Sequence, residues 1–197
     1  MEREFDTTEE KIIHATFRIF QKEGIDKATT KKIAAEAGVN EVTIFRKFEN
    51  KKNLVEITKK YYFDLFISKI NNIFDYEGIA TIEDYLTKNF RGLNDLSDED
   101  YSIIKVSMEE VSGSIPEKKL LISDITQTIL NKLEEFFKLQ IEKGNIREVN
   151  ARVLGITCFS VTFQSIILNR LYNENNEVDA KKYSDAFMDI LYNGIKP

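Results

Sequence analysis

The sequence predicts an all-α protein of about nine helices. Glycine and proline, which interrupt helices, account for only eight and two of the 197 residues. Apolar residues also recur at helical spacing through most of the chain, as in Ile13, Phe17 and Phe20. The apolar fraction of 42% beside 31% charged residues is typical of an ordinary globular protein.

Two helices are predicted within the first 38 residues. Thr7 and Glu10 have the spacing of a capping box, which predicts that the first helix begins there. Gly24 is suited to the position just after the end of that helix. A second, short helix is predicted with Thr30 as N-cap and Gly38 as the residue that ends it.

Asn40 is a good N-cap two residues after Gly38, so a third helix is predicted to begin almost at once and to run to about Phe48. Two helices joined by so short a glycine-containing turn cross steeply, as in a helix-turn-helix. Asn50 is suited to cap a long fourth helix. We therefore expect an N-terminal helix-turn-helix domain over residues 1–52 and a helical domain over residues 53–197.

Five further helices are predicted by apolar periodicity and caps. Their approximate ranges are 82–94, 99–111, 115–143, 151–173 and 179–193. Ser114, Pro116 and Glu117 mark one start, and Asn150 and Asp179 are suited to cap two others. Residues 151–173 are apolar on nearly all sides, so we expect the last helix to cover one side and a second copy of the chain the other.

Charge is unevenly distributed along the chain. Residues 27–52 hold seven Lys or Arg against three Glu, a net of 7 − 3 = +4, whereas the whole chain is at −5 and the remainder therefore at −9. A basic segment on an acidic protein is suited to bringing one face to a nucleic acid. Chance clustering of surface lysines is the alternative explanation.

The sequence offers little for catalysis, metal binding or a cofactor. A single histidine and a single cysteine, His14 and Cys158, make a Cys–His pair or a metal site improbable and exclude an intramolecular disulfide. We interpret His14 as structural and Cys158 as a small core residue, with redox sensing as the alternative for Cys158. No signal peptide or membrane span is recognisable, which favours a cytoplasmic location.

The stretch from Thr29 to Leu54, TTKKIAAEAGVNEVTIFRKFENKKNL, resembles the DNA-binding segment of the tetracycline-repressor (TetR) family of transcriptional regulators. The resemblance extends back to Ile13 and covers about the first quarter of the chain. It implies a dimeric regulator, usually a repressor, that binds a palindromic operator through the third helix. It also implies that the C-terminal domain binds a small-molecule effector and dimerises.

The resemblance and the predicted exposed face together give a set of DNA-binding residues. These are Thr29, Thr30, Lys31, Lys32, Asn40, Glu41, Val42, Thr43, Phe45, Arg46, Lys47 and Lys51. By position, Thr30 and Lys51 match the family's phosphate contacts, Lys31 matches a position that reaches a base, and Thr43 matches the threonine of the reading helix.

Three positions depart from the family's usual residues. Asn40 stands where serine is common, which preserves the cap. Val42 stands where glycine is common, so its methyl groups are placed to meet a thymine methyl in the groove. Phe45 replaces a tyrosine and lacks the hydroxyl that bonds a phosphate. The preferred DNA sequence therefore does not carry over from the family.

Two sets of residues in the C-terminal domain are predictions that follow from the resemblance. An apolar or aromatic effector is expected to contact Phe63, Phe66, Tyr85, Phe90, Tyr101, Met108, Phe159, Phe163 and Gln164. The homodimer interface is expected to involve Phe159, Phe163, Ile166, Ile167, Tyr183, Phe187, Ile190 and Leu191. The alternatives are an effector-independent or architectural DNA-binding protein, and a helical small-molecule-binding protein or enzyme.

Overall fold

The computed structural model describes residues 4–79, 81–112, 121–172 and 180–195, in which all regular structure is α-helical. Its helices are α1 Thr7–Glu23, α2 Thr30–Ala37, α3 Glu41–Phe48, α4 Lys51–Ile73, α5 Ile82–Asn94, α6 Asp98–Ser112, α7 Leu121–Glu142, α8 Ala151–Tyr172 and α9 Ala180–Ile195. The predicted all-α fold is confirmed. Ser114, Pro116, Glu117 and Asp179, which were predicted to start helices, lie outside the described residues.

The chain divides into two compact units. Unit 1 comprises Met1–Phe66 and Ser97–Ile122, and unit 2 comprises Ile67–Leu96 and Ser123–Pro197. Helix α4 contributes residues to both units. The predicted boundary between residues 52 and 53 separates DNA binding from effector binding and dimerisation, not one compact unit from another. It stays a prediction. Within the described residues, no helix combines the length and apolar character needed to cross a lipid bilayer.

The starts of α1 and α2 lie one residue earlier than predicted. The N-cap of α1 is Asp6, whose carboxylate accepts from the backbone of Thr8 and Glu9 while the Glu9 side chain accepts from the backbone N–H of Asp6. The N-cap of α2 is Thr29, whose hydroxyl accepts from the Lys32 backbone at 3.2 Å. Both corrections have one cause: adjacent residues are all competent to cap, and backbone conformation decides which side chain is used.

Unit 1 is built on the buried face of α1. Ile13 is fully buried and Phe17 and Phe20 nearly so, as their helical spacing predicts. Phe17 stacks on Tyr62 of α4 with ring centroids 3.6 Å apart, and a 2.6 Å hydrogen bond joins the Tyr62 hydroxyl to Nδ1 of His14. His14 therefore helps to hold α1 against α4, in keeping with the structural role expected for it.

Unit 2 has an interior of packed aromatic rings. Tyr85 of α5 is fully buried, and its ring centroid lies 3.9 Å from that of Phe136 of α7. The Tyr85 hydroxyl donates to the backbone oxygen of Phe74 at 3.0 Å, which satisfies the one polar atom of this buried ring. Because burial disfavours the phenolate, the pKa of Tyr85 is raised.

Candidate DNA-binding interface

Helix α3 has one buried face and one exposed face that carries two apolar residues. Ile44 and Phe48 are fully buried in unit 1 and hold the helix in place. On the outer face, Val42 is 71% exposed and Phe45 is 47% exposed, and Arg46 beside them is also exposed. An eight-residue helix that is anchored on one side and open on the other has the form of the reading helix in a helix-turn-helix.

The turn between α2 and α3 depends on Gly38, which adopts the left-handed conformation with φ of 68°. Its backbone N–H and that of Val39 bond to the last carbonyl groups of α2. Asn40 then caps α3 by accepting from the Val42 backbone at 2.9 Å, as predicted. A turn this short keeps α2 and α3 next to each other, as in a helix-turn-helix.

A second tight turn follows α3. Glu49 has φ of 66° and ψ of −51°, and the Asn50 backbone N–H donates to the Phe48 carbonyl at 2.7 Å. These are the features of the rare, strained γ-turn, and no other described non-glycine residue has positive φ. Asn50 accepts from the Asn53 backbone at 2.9 Å, so it caps α4 as predicted. The strained turn thus joins the reading helix directly to α4.

Helix α2 is tied to the start of α3 by a side-chain bond. The Thr30 hydroxyl donates to Oε1 of Glu41 at 2.5 Å, so this threonine orients the first residue of the reading helix. Thr29, one position earlier, uses its hydroxyl as the N-cap of α2. Lys31 is exposed.

The five basic residues that the sequence predicts to contact DNA fall into two groups. Lys32 pairs with Glu23 at 2.5 Å, and Lys47 pairs with the carboxylate of Asp6. Lys31, Arg46 and Lys51 form no ion pair with any residue that the structure describes. The unpaired cations are the ones whose charge is available to an external anion, a distinction that the sequence alone did not predict.

The paired cations affect the carboxylates that they contact. Hydrogen bonding to Lys47 lowers the pKa of Asp6, and hydrogen bonding to Lys32 lowers the pKa of Glu23. Both carboxylates are exposed to solvent, which screens these pairs, so they add little stability. Their main consequence is that the charges of Lys32 and Lys47 already have a carboxylate partner.

Unit 2 contains a small apolar cavity of about 20 Å³, which is room for about one water molecule. Two predicted effector contacts, Phe90 and Phe159, line it. Sequence reasoning did not select the other lining residues as effector contacts: Phe74, Leu86, Asn89, Leu93, Leu133, Cys158, Thr162, Phe187 and Met188. Asn89 could have been recognised from the sequence as a candidate contact, because it is a polar residue on the otherwise apolar buried face of α5.

The remaining predicted effector contacts lie elsewhere. Phe63, Phe66 and Tyr101 belong to unit 1. In unit 2, Tyr85 is buried, the Phe163 ring lies 5.5 Å from that of Phe159, and Gln164 is exposed. The Met108 side chain lies outside the described part. The effector contacts as a set stay a prediction.

Cys158 is 2% exposed and lines this cavity, in keeping with the core role expected for it. Burial raises the pKa of its thiol to about 12, so the reactive thiolate is scarce at neutral pH. Among the described residues, no group of three His, Cys, Asp or Glu side chains is arranged to hold a metal ion.

The predicted dimer residues also have distinct environments. Phe159 and Phe187 line the cavity, Leu191 is buried, and Ile190 is 72% exposed. The side chains of Ile166, Ile167 and Tyr183 lie outside the described part, so the interface stays a prediction. Two α8 residues that were not selected, Val153 and Ile156, are exposed apolar residues.

Together, the α2–α3 pair with its short turn, its exposed outer face and its unpaired cations define a helix-turn-helix DNA-binding protein. Residues 12–57 match the family described as "Bacterial regulatory proteins, tetR family". These residues therefore carry the DNA-binding domain of this family, as the sequence predicted.

Relatives extend the similarity beyond the helix-turn-helix. The chain is 28% identical over 165 residues, 84% of each protein, to an uncharacterized HTH-type transcriptional regulator, YvkB, of Bacillus subtilis. It is 25% identical over 185 residues, 93% of each protein, to the fatty acid metabolism regulator protein of the same organism. It also shares its fold with the solved structure of the regulator FadR from Bacillus subtilis in complex with stearoyl-CoA. That match has a TM-score of 0.62 and 23% identity, and covers 94% of this chain and 98% of the other.

Proposed function

We propose that this protein is a homodimeric repressor that binds a palindromic operator through α3 and is released by an acyl-coenzyme A. Its role is regulatory rather than catalytic, and it acts in the cytoplasm. The observation that carries the proposal is the outer face of α3, where exposed Val42, Phe45 and Arg46 stand on a helix anchored by fully buried residues.

Electrostatics supports a nucleic acid as the partner. Lys31, Arg46 and Lys51 lie on three successive helices of unit 1 and have no carboxylate partner among the described residues. Lys51 stands in the first turn of α4, where a cation opposes the helix dipole. A DNA phosphate at this position turns that unfavourable placement into an attraction. Neutralised phosphates release counterions, so binding is expected to weaken steeply with salt.

A two-fold dimer explains how so short a helix achieves specificity. Two reading helices placed about 34–36 Å apart enter successive major grooves on one side of the duplex. Val153 and Ile156 of α8 and Ile190 of α9 are exposed apolar residues of unit 2 that a second copy would cover. An isologous interface of this kind predicts a palindromic operator.

The effector class is supported by the chemistry of the cavity and by the relatives. Its lining is mainly aromatic and aliphatic with a few polar groups, among them Asn89 and Thr162, and an acyl chain suits such walls. The cavity of about 20 Å³ is far smaller than the roughly 300–1,000 Å³ of ligand pockets. Half-buried Phe159, Phe187 and Met188 must therefore move aside when the chain enters.

The small size of this cavity gives the effector a means of acting. A ligand shifts a conformational equilibrium only if it binds one state more tightly than the other. An acyl chain binds only the open form of unit 2, so it selects that form. We propose that in the open dimer the two α3 helices no longer match successive grooves, and that operator affinity falls.

The test begins with selection of bound sequences from a random duplex pool, using the full chain. A palindrome is the expected result. Fluorescence anisotropy at about physiological ionic strength then compares the selected duplex with a random one, and stearoyl-CoA is added to the complex. We expect it to weaken binding on the order of tenfold, a typical coupling between two sites. Free coenzyme A is the matched control and should have no effect.

Two results would contradict parts of the proposal. Equal affinity for selected and random duplexes would show that the outer face of α3 does not read sequence. Specific binding that no acyl-CoA alters would remove the effector. The small cavity would then be a feature of a rigid core, and the protein an effector-independent DNA-binding protein.

A further inference from the structure

Val42 and Phe45 form an exposed apolar pair on α3, which we call the apolar reading pair. Residues three apart lie on the same face of a helix, so the two side chains are neighbours. The positions around them are polar: the Glu41 carboxylate accepts a hydrogen bond from Thr30, and Arg46 is exposed. Single exposed apolar side chains are ordinary, but two neighbours on the anchored reading helix indicate an apolar contact with the partner.

The charges around the apolar reading pair indicate which partner fits. Unpaired cations accompany it on the same helix and on the adjoining ones, at Arg46, Lys31 and Lys51. A protein partner for a small apolar pair would not require this excess of positive charge. The major groove of DNA meets both needs, since phosphates line its edges and its floor carries the C5-methyl group of each thymine.

We infer that the apolar reading pair recognises thymine by its methyl group, with Val42 as the principal contact. This inference rests on the proposed DNA-binding function and adds to it the chemistry of base recognition. Neither Val42 nor Phe45 offers a side-chain hydrogen bond to a base edge. Discrimination at this position therefore comes from burial of one methyl group against apolar side chains. Each half-site of the operator must then contain a thymine at the base step that faces Val42.

The experiment replaces thymine with deoxyuridine, which lacks only the methyl group. In the selected operator, each thymine is replaced in turn, at the equivalent position of both half-sites, and affinity for the full chain is measured by anisotropy. Burial of one methyl group corresponds to about a fourfold change in affinity, so a symmetric replacement should weaken binding about fifteenfold. We expect this loss at one thymine position in each half-site and little change at positions away from α3.

Protein variants then connect the lost affinity to a residue. Val42→Ala removes two methyl groups from the side chain while keeping a good helix former. In this variant the sensitive thymine should become insensitive, with thymine and uracil bound within about twofold of each other. Leu65→Ala is the matched control, because Leu65 is also an exposed apolar residue of unit 1 but lies on α4. It should retain the full response to uracil.

Each outcome decides the inference. A selected operator without thymine in its half-sites would overturn it, as would uracil that is tolerated at every position. A sensitive thymine that stays equally sensitive in Val42→Ala would assign the methyl contact to another residue and also overturn it. In these three cases specific binding remains, so the proposed function stands. Absence of sequence-specific binding by the unaltered chain would overturn both.

Discussion

Unit 1 and unit 2 place their distinctive side chains in opposite environments. Unit 1 leaves Val42, Phe45 and three cations on the surface, where they contribute little to the fold. Unit 2 buries the rings of Tyr85, Phe136 and Phe137, and its cavity shares residues with the core that holds the unit together. A surface site and a stable fold are thus separable in unit 1, whereas in unit 2 the residues that would bind an effector also stabilise the protein.

The largest expected effect compares an aromatic residue from each unit. Phe136 is 2% exposed and packs against Tyr85, so Phe136→Ala should lower the free energy of unfolding by about 3–5 kcal/mol. Phe45 is on the surface, so Phe45→Ala should change it by less than about 0.5 kcal/mol. Urea unfolding at one protein concentration, without DNA, measures both. Similar losses for the two variants would show that α3 depends on Phe45 for packing.

The second effect concerns the reactivity of Cys158. Burial raises the pKa of its thiol to about 12, against about 8.5 for a free cysteine. At pH 8 the thiolate is then about a thousandfold scarcer, and alkylation by iodoacetamide should be slower by at least about that factor than in the urea-unfolded chain. Mass spectrometry of timed samples measures the rate. Labelling of the native chain at the unfolded rate would mean that the cavity is open to solvent.

The raised pKa of the Cys158 thiol also predicts how the free energy of unfolding changes with pH. The folded state favours the neutral thiol, so this contribution is complete below about pH 8.5, the pKa of the unfolded thiol. It declines as the pH rises from there toward the folded pKa of about 12. Cys158→Ser is the control, since a serine at this position does not titrate in this range and should remove that part of the pH dependence.

Much of the fold follows from local signals, and less of the site does. Asn40, Asn50 and Asn150 cap helices as the sequence predicts. Each is followed by apolar residues at helical spacing and has no second residue suited to capping directly beside it. Where such residues are adjacent, as at Asp6 and Thr7, the choice depends on backbone dihedrals that the sequence does not specify.

Tertiary pairing is what sequence reasoning could not predict. Lys31 and Lys32 are neighbours of the same type, yet Lys32 pairs with Glu23, nine residues earlier, and Lys31 pairs with no described residue. The same limit applies to the effector contacts. Aromatic residues that are close in the sequence, such as Phe66 and Phe74, belong to different units. Periodicity indicates that a residue is buried but not which neighbours surround it.

The third effect compares an unpaired cation with a paired one. Lys51→Ala should weaken binding to every DNA sequence alike, on the order of tenfold at low salt, and reduce the salt slope by about one. Lys32→Ala is the control, because its charge is already paired with Glu23, and the slope should stay near that of the unaltered chain. Anisotropy across a salt series gives both slopes. If Lys51→Ala instead changes which operator is preferred, the assignment of Lys51 to a phosphate is wrong.

The smallest effect tests the strained turn that joins the surface site of unit 1 to α4. Positive φ at Glu49 costs about 1–3 kcal/mol, and glycine adopts this conformation freely but loses roughly 0.5–1 kcal/mol of backbone entropy. Glu49→Gly should therefore raise the free energy of unfolding by about 1 kcal/mol. Glu49→Ala removes the same carboxylate but keeps the backbone strain, so it distinguishes the effect of the strain from that of the charge. It should leave the free energy of unfolding nearly unchanged. Glu56→Gly, within α4, should instead destabilise by about 1 kcal/mol. If Glu49→Gly also destabilises in urea unfolding, the turn does not store strain in solution.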